Sequence, residues 1–526
     1  MKFLLVILFA STLQAAEWQW SVPEGNGRAF LWIPPGCQKV RAVIVGQNNM
    51  LEESVLEHPV FRVEMAKLGI AELWVAPTFE GGASIEQGSG KRAEAVLNAL
   101  AAESGYAELG TAPVVPIGHS ACATFPWNYA VSYPERTLAV LSIHGDAPQT
   151  NLTGNGRSNM DWGGRNIDGI PGLMAIGEYE WMDERVLPGL AFRKKFPKFC
   201  IALLAEPGQG HFDACDELVS YLAMFVRKAA EARLPEKDGD ALRPVDAAKG
   251  WLVQRWKLRD GRNVPTAPAA SYTGDPADAF WAFDGQMAKA TQDYMAQHIG
   301  KKPQLLSYLQ EGEMVPQADI HQQVTLRFLP EDDGISFTLG TDFLSEVPAV
   351  SKNLSRWTGL PAGSPLGHGT GGISIRRITG PFAVLGGNRF ELRLNRASST
   401  VDKRNLDLWF AARHPGDGDY VPAVQQAMMH VSPNTGGKAQ VITFPEMGDV
   451  KSGASEIKLS ASSDAGLKVG YYVREGPAEI DGKTLRFTAI PPKSKFPLKV
   501  TVVAWQWGNS TVNTAAPVER TFSILK

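Results

Sequence analysis

Residues 114–130 read VVPIGHSACATFPWNYA, and this stretch decides the fold of the first half of the chain. Its apolar first residues are typical of a buried strand, and the residues after Ser120 have a helical pattern. Small residues at Gly118 and Cys122 allow a sharp turn between the two. Other Gly-x-Ser triplets occur in the chain, but Ser120 is the one that stands between a buried strand and a helix. This setting predicts that Ser120 is a nucleophile, exposed at the carboxyl end of a sheet.

The sequence from residue 40 to about residue 234 alternates between two kinds of segment. Short apolar runs such as VRAVIVG (40–46) and FCIALLAEPG (199–208) show little polar alternation, which is typical of strands buried on both faces. Amphipathic stretches such as GKRAEAVLNALAAESG (90–105) lie between them and predict helices. We therefore predict an α/β domain built on a mostly parallel, doubly wound sheet.

The later sequence has a different character. Residues 241–317 contain one helical stretch and form a connecting segment that could cover the active site. Beyond it, short alternating stretches such as RFELRLN (389–395) are separated by Gly, Pro and Asn, which is typical of β-sandwiches. We predict a signal peptide at residues 1–16 and an α/β catalytic domain at 17–240. The connecting segment at 241–317 is followed by a β-sandwich at 318–447 and a final β-sandwich at 448–526.

The N-terminal residues MKFLLVILFASTLQAAEW (1–18) indicate export. Lys2 precedes an apolar block that is too short to span a bilayer, and Ala15 and Ala16 fit a cleavage site. No later stretch is apolar over the length that a membrane span needs. We expect a secreted protein, periplasmic or extracellular, without a membrane span.

Composition and motifs exclude several classes of partner and cofactor. Charged residues make up 20% of the chain, hydrophobic residues make up 44%, and the net charge is -3. This balance, with no basic cluster, does not indicate a nucleic-acid partner. The sequence has no phosphate-binding loop and no Cys/His spacing of the zinc type. We predict no metal and no cofactor.

A serine nucleophile needs a histidine base and an acid that holds the base. In proteins with this strand-turn-helix arrangement, the acid and then the histidine follow the serine along the chain, each after a later strand. His211 follows the last predicted strand of the domain, where the base is expected. His144 follows the strand directly after the elbow helix and comes before any candidate acid, so it does not fit the expected order. Glu180, three residues past Gly177, follows the preceding strand, and we predict it as the acid. Its rivals are Glu178, Asp183 and Glu184.

Other residues near this predicted triad have candidate roles. The backbone N–H of Ala121, at the helix start, and that of Gln47 or Asn48, after an early strand, would form an oxyanion hole. Three tryptophans lie near predicted active-site loops, where they could stack on sugar or aromatic rings or serve in packing. They are Trp127, Trp162 and Trp181.

The chain has four cysteines, Cys37, Cys122, Cys200 and Cys215, and an oxidising compartment would permit disulfides. We expect Cys122 at the start of the elbow helix and Cys215 just after the histidine loop. A disulfide between these two would tie the nucleophile to the base. Pairing of Cys200 with Cys215 is disfavoured because a whole strand, about 20 Å long, separates them. The alternative is four buried free thiols.

Residues from about 28 to 234 resemble the α/β-hydrolase superfamily. The resemblance rests on four landmarks in the right order, GHSAC (118–122), YPER (133–136), IGEYE (176–180) and GQGH (208–211). It implies a Ser/His/acid hydrolase that acts through an acyl-enzyme, most often on esters. Cys122 replaces the second glycine of the superfamily's pentapeptide, and glutamate stands where aspartate is commoner. The sequence from about residue 450 resembles the immunoglobulin-like modules of exported bacterial proteins, which implies attachment, spacing or carbohydrate binding.

The expected function is therefore that of a secreted serine carboxylic-ester hydrolase. Appended β-sandwiches favour acetyl or feruloyl esters of polysaccharides as substrates, with carbohydrate contacts through these domains. A polyester or lipid esterase and a serine peptidase are alternatives on the same fold. A protein of another class, a carbohydrate-binding protein on a hydrolase scaffold, would keep the fold and leave Ser120 unreactive.

Overall fold

The computed structural model describes residues 17–78, 88–152, 159–237, 239–258, 260–317, 323–350, 352–399 and 404–526. Within these residues the first domain contains eight strands, and from the third strand onward an α-helix follows every strand except the sixth, close to the predicted alternation. The strands are β1 (Trp20–Glu24), β2 (Gly27–Trp32), β3 (Ala42–Gln47), β4 (Ile70–Ala76), β5 (Val114–His119), β6 (Val140–Ile143), β7 (Pro171–Gly177) and β8 (Cys200–Glu206). The helices are α1 (Glu52–Leu56), α2 (Pro59–Leu68), α3 (Ser89–Ser104), α4 (Phe125–Ser132), α5 (Asp183–Lys195) and α6 (Asp216–Arg233).

These strands form one sheet in the order β1-β2-β4-β3-β5-β6-β7-β8. β1 pairs antiparallel with β2 and β2 pairs antiparallel with β4, whereas β3 to β8 run parallel. Every residue of β3 to β8 is buried, which accounts for their unalternated apolar sequence. This mostly parallel sheet fits the α/β-hydrolase domain expected from the sequence. The carboxyl ends of β5 to β8 lie along one edge of the sheet.

The connecting segment packs beside the last strand and helix of this domain. Its elements are β9 (Trp251–Gln254), β10 (Thr266–Pro268), β11 (Ala279–Ala282) and α7 (Gly285–Met295), with the strand order β10-β9-β11. The hydroxyls of Tyr221 and Thr291 lie 2.6 Å apart, and Lys228 of α6 donates to Asp284. The segment therefore lies mainly along β8 and α6.

A second β region begins at Leu306, somewhat before the predicted boundary at residue 318. It forms three sheets, with orders β13-β12-β16, β14-β21-β20-β17 and β15-β19-β18, and a separate aromatic core that includes Phe337, Phe390 and Phe410. Its strands are β12 (Leu306–Gln310), β13 (Glu313–Met314), β14 (Val324–Leu326), β15 (Ser336–Thr338), β16 (Gly340–Phe343), β17 (Ser374–Thr379), β18 (Phe382–Gly386), β19 (Arg389–Leu392), β20 (Asp407–His414) and β21 (Ala423–His430), and its helix is α8 (Lys352–Thr358).

This second β region covers part of the loops at the carboxyl edge of the first sheet. Trp357 of α8 stacks on Tyr179, with ring centroids 4.2 Å apart. A Cβ added to Gly208, before the histidine loop, would lie 2.0 Å from the carbonyl oxygen of Pro422, so the backbones touch there. Ser54 of α1 donates to the carbonyl oxygen of Ile378. The connecting segment also reaches this edge, where Trp256 packs against Trp181 and Tyr294 donates to Glu206, and its covering of the site stays a prediction.

The C-terminal region is also all β, as predicted, and contains two main sheets, β23-β30-β29-β26 and β24-β28-β27. Its immunoglobulin-like type stays a prediction. The region contacts the first domain through buried Glu475, which accepts from Ser21 and, at 3.1 Å, from Arg28. Its strands are β22 (Ile442–Thr443), β23 (Val450–Lys451), β24 (Glu456–Lys458), β25 (Ser462–Ser463), β26 (Gly470–Glu475), β27 (Ala478–Asp481), β28 (Thr484–Phe487), β29 (Leu498–Trp505) and β30 (Val518–Leu525).

Two predictions about membranes and export have different outcomes. Within the described ranges, no helix combines the length and the apolar character that crossing a membrane would require. The predicted signal peptide at residues 1–16 lies outside the described residues.

Candidate active site

Ser120 occupies a sharp turn between β5 and α4. Its φ of 53° lies in the left-handed region, where a residue other than glycine is strained, as is usual for a serine at a nucleophile elbow. A Cβ on Gly118 would lie 2.1 Å from the carbonyl oxygen of Cys122, so the turn requires glycine there. Pro126 lies in the first turn of α4, where its missing N–H leaves no hydrogen bond unmade.

The structure brings Ser120, His211 and Glu180 together. Nε2 of His211 lies 2.7 Å from Oγ of Ser120, and Nδ1 of His211 hydrogen-bonds to Oε2 of Glu180. Ser120 is half-buried, and only 3% of His211 is exposed. A proton on Nδ1 leaves Nε2 able to accept the serine proton, which is the tautomer that general-base catalysis needs.

The three rival acids have other roles or positions. Glu178 accepts a hydrogen bond of 2.7 Å from the backbone N–H of Gly208 and so braces the histidine loop. Asp183 pairs with Arg255 at 3.2 Å, and Glu184 is exposed. Glu180 is thus the acid that contacts the histidine.

The charges around the triad favour an ionised acid and a neutral base. Burial would raise the pKa of Glu180, but Arg185, His211 and His144 together hold it well below its usual range. Burial lowers the pKa of His211, and the neighbouring Glu180 offsets this only in part. His211 is therefore ready to take a proton at neutral pH.

Buried Arg185 connects the acid to a second carboxylate. Its Nη1 donates to Oε2 of Glu180 at 2.7 Å, and its Nε donates to Asp146 at 2.9 Å. Its Nη2 donates to the carbonyl oxygen of Gly145 at 2.7 Å. Arg185 is 4% exposed and Asp146 is 1% exposed, so both charges depend on each other.

His144 is a site residue that sequence reasoning set aside. It follows β6, and its Nδ1 lies 2.5 Å from Oε1 of Glu180. Chain order excluded it as the base, because it precedes the acid. The signal that could have found it is sheet position, since β6 lies next to β7, which carries Glu180.

The same cluster has some of the chemistry of a metal site. Among the described residues, the atoms of His144, Glu180 and His211 lie within 4.8 Å of one another and are of the types that bind metals. In the structure, both Nδ1 atoms are already engaged by the carboxylate. A metal on these atoms would replace the hydrogen bond that orients His211, so the cluster fits a triad better than a metal centre.

The predicted oxyanion hole is corrected at Asn48. The backbone N–H of Asn48 donates to the carbonyl oxygen of Val75 at 2.7 Å, so it is used within the sheet. Gln47 is the last residue of β3 and is buried. Ala121 lies in the turn directly after Ser120, and its role as a donor stays a prediction.

Glu52 ties the loop after β3 to the elbow. Its Oε1 accepts from the backbone N–H of His119 at 2.7 Å, and its Oε2 accepts from Asn49 and Met50 at 3.2 and 2.9 Å. Burial raises the pKa of Glu52 to about 7, although these backbone donors oppose the shift. Sequence reasoning missed this contact, because the sequence around a glutamate at the start of a helix does not indicate which backbone N–H groups donate to it.

The three predicted substrate tryptophans are corrected to packing residues. Nε1 of Trp127 donates to the carbonyl oxygen of Asp146, and Nε1 of Trp162 donates to Asn128. Trp181 packs edge-on against another tryptophan, with ring centroids 4.7 Å apart. All three are at most 3% exposed, so none of them offers a face to substrate.

The predicted disulfide is also corrected, because all four cysteines are described and each is a buried thiol outside any disulfide. Sγ of Cys215 accepts from the backbone N–H of Leu218 at 3.4 Å and so caps α6. Cys122 is 2% exposed within the elbow. The alternative of four buried thiols is the one observed.

A small cleft near the histidine loop was not predicted, and the residues that line it do not include Ser120 or His211. It lies between the loop after β3 and the second β region, and half-buried Trp409 is in its wall. The ring of Trp409 lies 5.0 Å from that of Phe212, which lies 4.6 Å from that of His211. Polar side chains dominate the rest of the lining, including Asn48, Asn49, Asn395, Arg404, Asn405 and Asp407.

The fold and the site together define an α/β protein with a serine, histidine and glutamate in hydrogen-bonded order. No protein-family model and no curated protein matches the sequence. Solved structures similar to part of the chain include an S-formylglutathione hydrolase from Agrobacterium tumefaciens, at 12% identity and a TM-score of 0.30 over 42% of this chain and 100% of that one. A carboxylesterase from Mesorhizobium loti matches at 13% identity with a TM-score of 0.29, over 40% of this chain and 99% of that one. The Bacillus cereus carboxylesterase matches at 15% identity with a TM-score of 0.28, over 38% of this chain and 93% of that one.

Proposed function

We propose that this protein is a secreted serine hydrolase that cleaves carboxylic esters. The observation that carries the proposal is the unbroken hydrogen-bonded series from Ser120 through His211 to Glu180. A serine hydroxyl is a weak nucleophile unless a positioned base takes its proton, and this arrangement supplies that base. The strained φ of Ser120 supports the same conclusion, because strain of this kind clusters at functional sites.

In the proposed mechanism, Oγ of Ser120 attacks the carbonyl carbon of the ester while its proton passes to Nε2 of His211. The imidazolium that forms faces the ionised carboxylate of Glu180. His211 then gives the proton to the leaving alkoxide, so the C–O bond breaks and an acyl-Ser120 forms. Water, deprotonated by His211, attacks the acyl carbon, and the acid leaves as Ser120 regains its proton.

For the substrate we propose acyl esters of a polysaccharide, such as acetyl or feruloyl esters. The support is the lining of this small cleft, where amide side chains and half-buried Trp409 come together and Trp409 is linked to His211 through the ring of Phe212. Amides can hydrogen-bond to sugar hydroxyls, and an indole face packs on the apolar face of a sugar ring. A lipid chain would instead need a mostly apolar wall.

The decisive experiment is replacement of the nucleophile. Ser120→Ala should lower kcat on 4-nitrophenyl acetate by at least about 1,000-fold, as loss of a triad member usually does. Ser220→Ala, at an exposed serine of α6, is the matched control and should retain full activity. Equal turnover by wild type and Ser120→Ala would refute the proposal.

A fluorophosphonate probe separates the enzyme from a binding protein on the same scaffold. The wild type should be labelled at Ser120, and Ser120→Ala should remain unlabelled. A folded wild type that resists the probe, together with binding of polysaccharide, would favour the binding protein.

The substrate class is tested by comparing turnover of acetylated xylan, methyl ferulate, a polyester film and a peptide anilide. Trp409→Ala should reduce kcat/KM on the polysaccharide ester by about tenfold, the loss of about 1.4 kcal/mol of stacking. Turnover of 4-nitrophenyl acetate should change little. Trp251→Ala, at a half-buried tryptophan of the connecting segment, controls for general loss of packing. Preference for the polyester or the peptide would contradict the substrate proposal.

A further inference from the structure

His144 has an unusual backbone conformation for a histidine. Its φ of 48° lies in the left-handed region, and its side chain is fully buried at the carboxyl end of β6. Its backbone N–H donates to the carbonyl oxygen of Ala175 at 2.7 Å, which fixes the conformation. Strain and burial of a polar ring both cost free energy, so a role for the ring itself is indicated.

The imidazole of His144 lies between two buried carboxylates. Its Nδ1 is 2.5 Å from Oε1 of Glu180, and its Nε2 is 3.6 Å from Oε1 of Glu206. Oε2 of Glu206 in turn accepts from the hydroxyl of Tyr294 at 3.0 Å. A series of groups therefore extends from the catalytic acid, away from Ser120, to the connecting segment.

The two oxygens of Glu180 have different partners. Oε2 accepts from both His211 and Arg185, whereas Oε1 has His144 and a longer contact of 3.4 Å from the backbone N–H of Gly177. His144 is thus the strong donor to the oxygen that His211 does not use. Removing it would let the carboxylate rotate about its terminal bond.

We propose that His144 is a positioning residue, which holds Oε1 of the catalytic Glu180 so that Oε2 stays aligned with Nδ1 of His211. The inference rests on the proposed serine-hydrolase function. His144 does not touch the reacting atoms, so it acts through the orientation of His211. A displacement of the base by about 1 Å lowers rates by about 100-fold, which sets the expected size of the effect.

Electrostatics support this position for the ring. Burial would lower the pKa of His144, but Glu180 and Glu206 outweigh it and raise the pKa. Burial raises the pKa of Glu206 to about 7, opposed by His144 and Tyr294. The titratable and charged groups that face His144 are Glu180, Glu206, Arg185, His119, His211 and Asp213.

The test compares two replacements of His144 by activity on 4-nitrophenyl acetate between pH 5 and 9. His144→Asn keeps an N–H near the position of Nδ1, whereas His144→Leu removes the donor. We expect His144→Leu to lose about 100-fold in kcat with KM within about twofold, and His144→Asn to keep kcat within about fivefold of wild type. Both variants remove an imidazole that lowers the pKa of His211, so the acidic limb of kcat/KM should move to higher pH in both.

A purely structural role would lower the kcat of both variants alike, which would overturn the inference. A kcat of His144→Leu within about threefold of wild type would also overturn it. His144→Gly is the second variant, because the φ of 48° at this position favours glycine, and it should match His144→Leu. His58→Asn, at a half-buried histidine that caps α2, is the control and should behave as wild type.

A second readout separates this inference from the proposed function. The proton between Nδ1 of His211 and Glu180 should give a low-field NMR signal in wild type that persists in His144→Asn and shifts or broadens in His144→Leu. An unchanged signal in His144→Leu would overturn the positioning role. Absence of Ser120-dependent turnover in wild type would instead overturn the proposed function.

Discussion

Replacement of Arg185 by methionine should unfold the first domain more easily and impair the site. The methionine side chain would fill much of the same space without a charge, so the carboxylates of Glu180 and Asp146 would stay buried without their shared cation. Breaking a buried ion pair by removing one partner costs about 3–5 kcal/mol. For a domain of this size, each kcal/mol lowers Tm by about 2–4 °C, so we expect a fall of about 6–20 °C.

The assay is urea unfolding at pH 7, followed by tryptophan fluorescence and compared with activity on 4-nitrophenyl acetate. Arg185→Lys keeps the charge and should lose less than Arg185→Met. Adding Asp146→Asn to Arg185→Met should recover at least about 1 kcal/mol, because one of the two unpaired charges is then gone. A free energy of unfolding for Arg185→Met within about 1 kcal/mol of wild type would refute the reasoning.

Three further predictions concern stability and cysteine chemistry. Burial raises the pKa of Glu72 to about 8 despite its contact with Arg62, so the unfolded chain loses this proton from about pH 4.5 while the folded protein keeps it. Stability should therefore fall between these pH values by up to about 5 kcal/mol, and Glu72→Gln, but not exposed Glu184→Gln, should abolish that fall in urea titrations at pH 5 and 8. Ser120→Gly should be more stable to urea than Ser120→Ala by about 1 kcal/mol, since only glycine accepts a φ of 53° without strain; the opposite order would contradict the elbow geometry. Unfolding without reductant should expose four thiols to Ellman's reagent. A count of two reactive thiols would indicate a disulfide and contradict the structure.

The sequence was informative wherever function follows chain order. A buried strand, a glycine and a helix predicted the turn at Ser120, and the ends of the next strands located Glu180 and His211. These inferences succeed because parallel strands deliver their carboxyl ends to one edge of a sheet. His144 obeys the same rule, yet its role depends on which oxygen of Glu180 it contacts, and that is a property of three-dimensional geometry.

The remaining wrong predictions concern tertiary contacts, which the local sequence does not record. Trp127, Trp162 and Trp409 are the same residue type in loop-like or β-rich sequence, and only packing decides which of them presents a face to the cleft. The backbone N–H of Asn48 was expected to be available to substrate, but strand pairing extends one residue further and uses it. Part of the cover over the site comes from a region more than a hundred residues later in the chain, and no local pattern records such a contact.

The hydrogen bonds that Ser21 of β1 and Arg28 of β2 donate to Glu475 have a consequence for the order in which the regions of the protein assemble. Ser21 and Arg28 leave the ribosome early, but their carboxylate partner is made 447 or more residues later. At about 5–20 residues per second, the interval between completion of the catalytic domain at residue 240 and synthesis of Glu475 is roughly 10–50 s. The second β region, which walls the cleft, is made within that interval, so the contact of Glu475 with β1 and β2 forms after it. The contact between the last region of the chain and its first two strands is thus made only when synthesis is nearly finished.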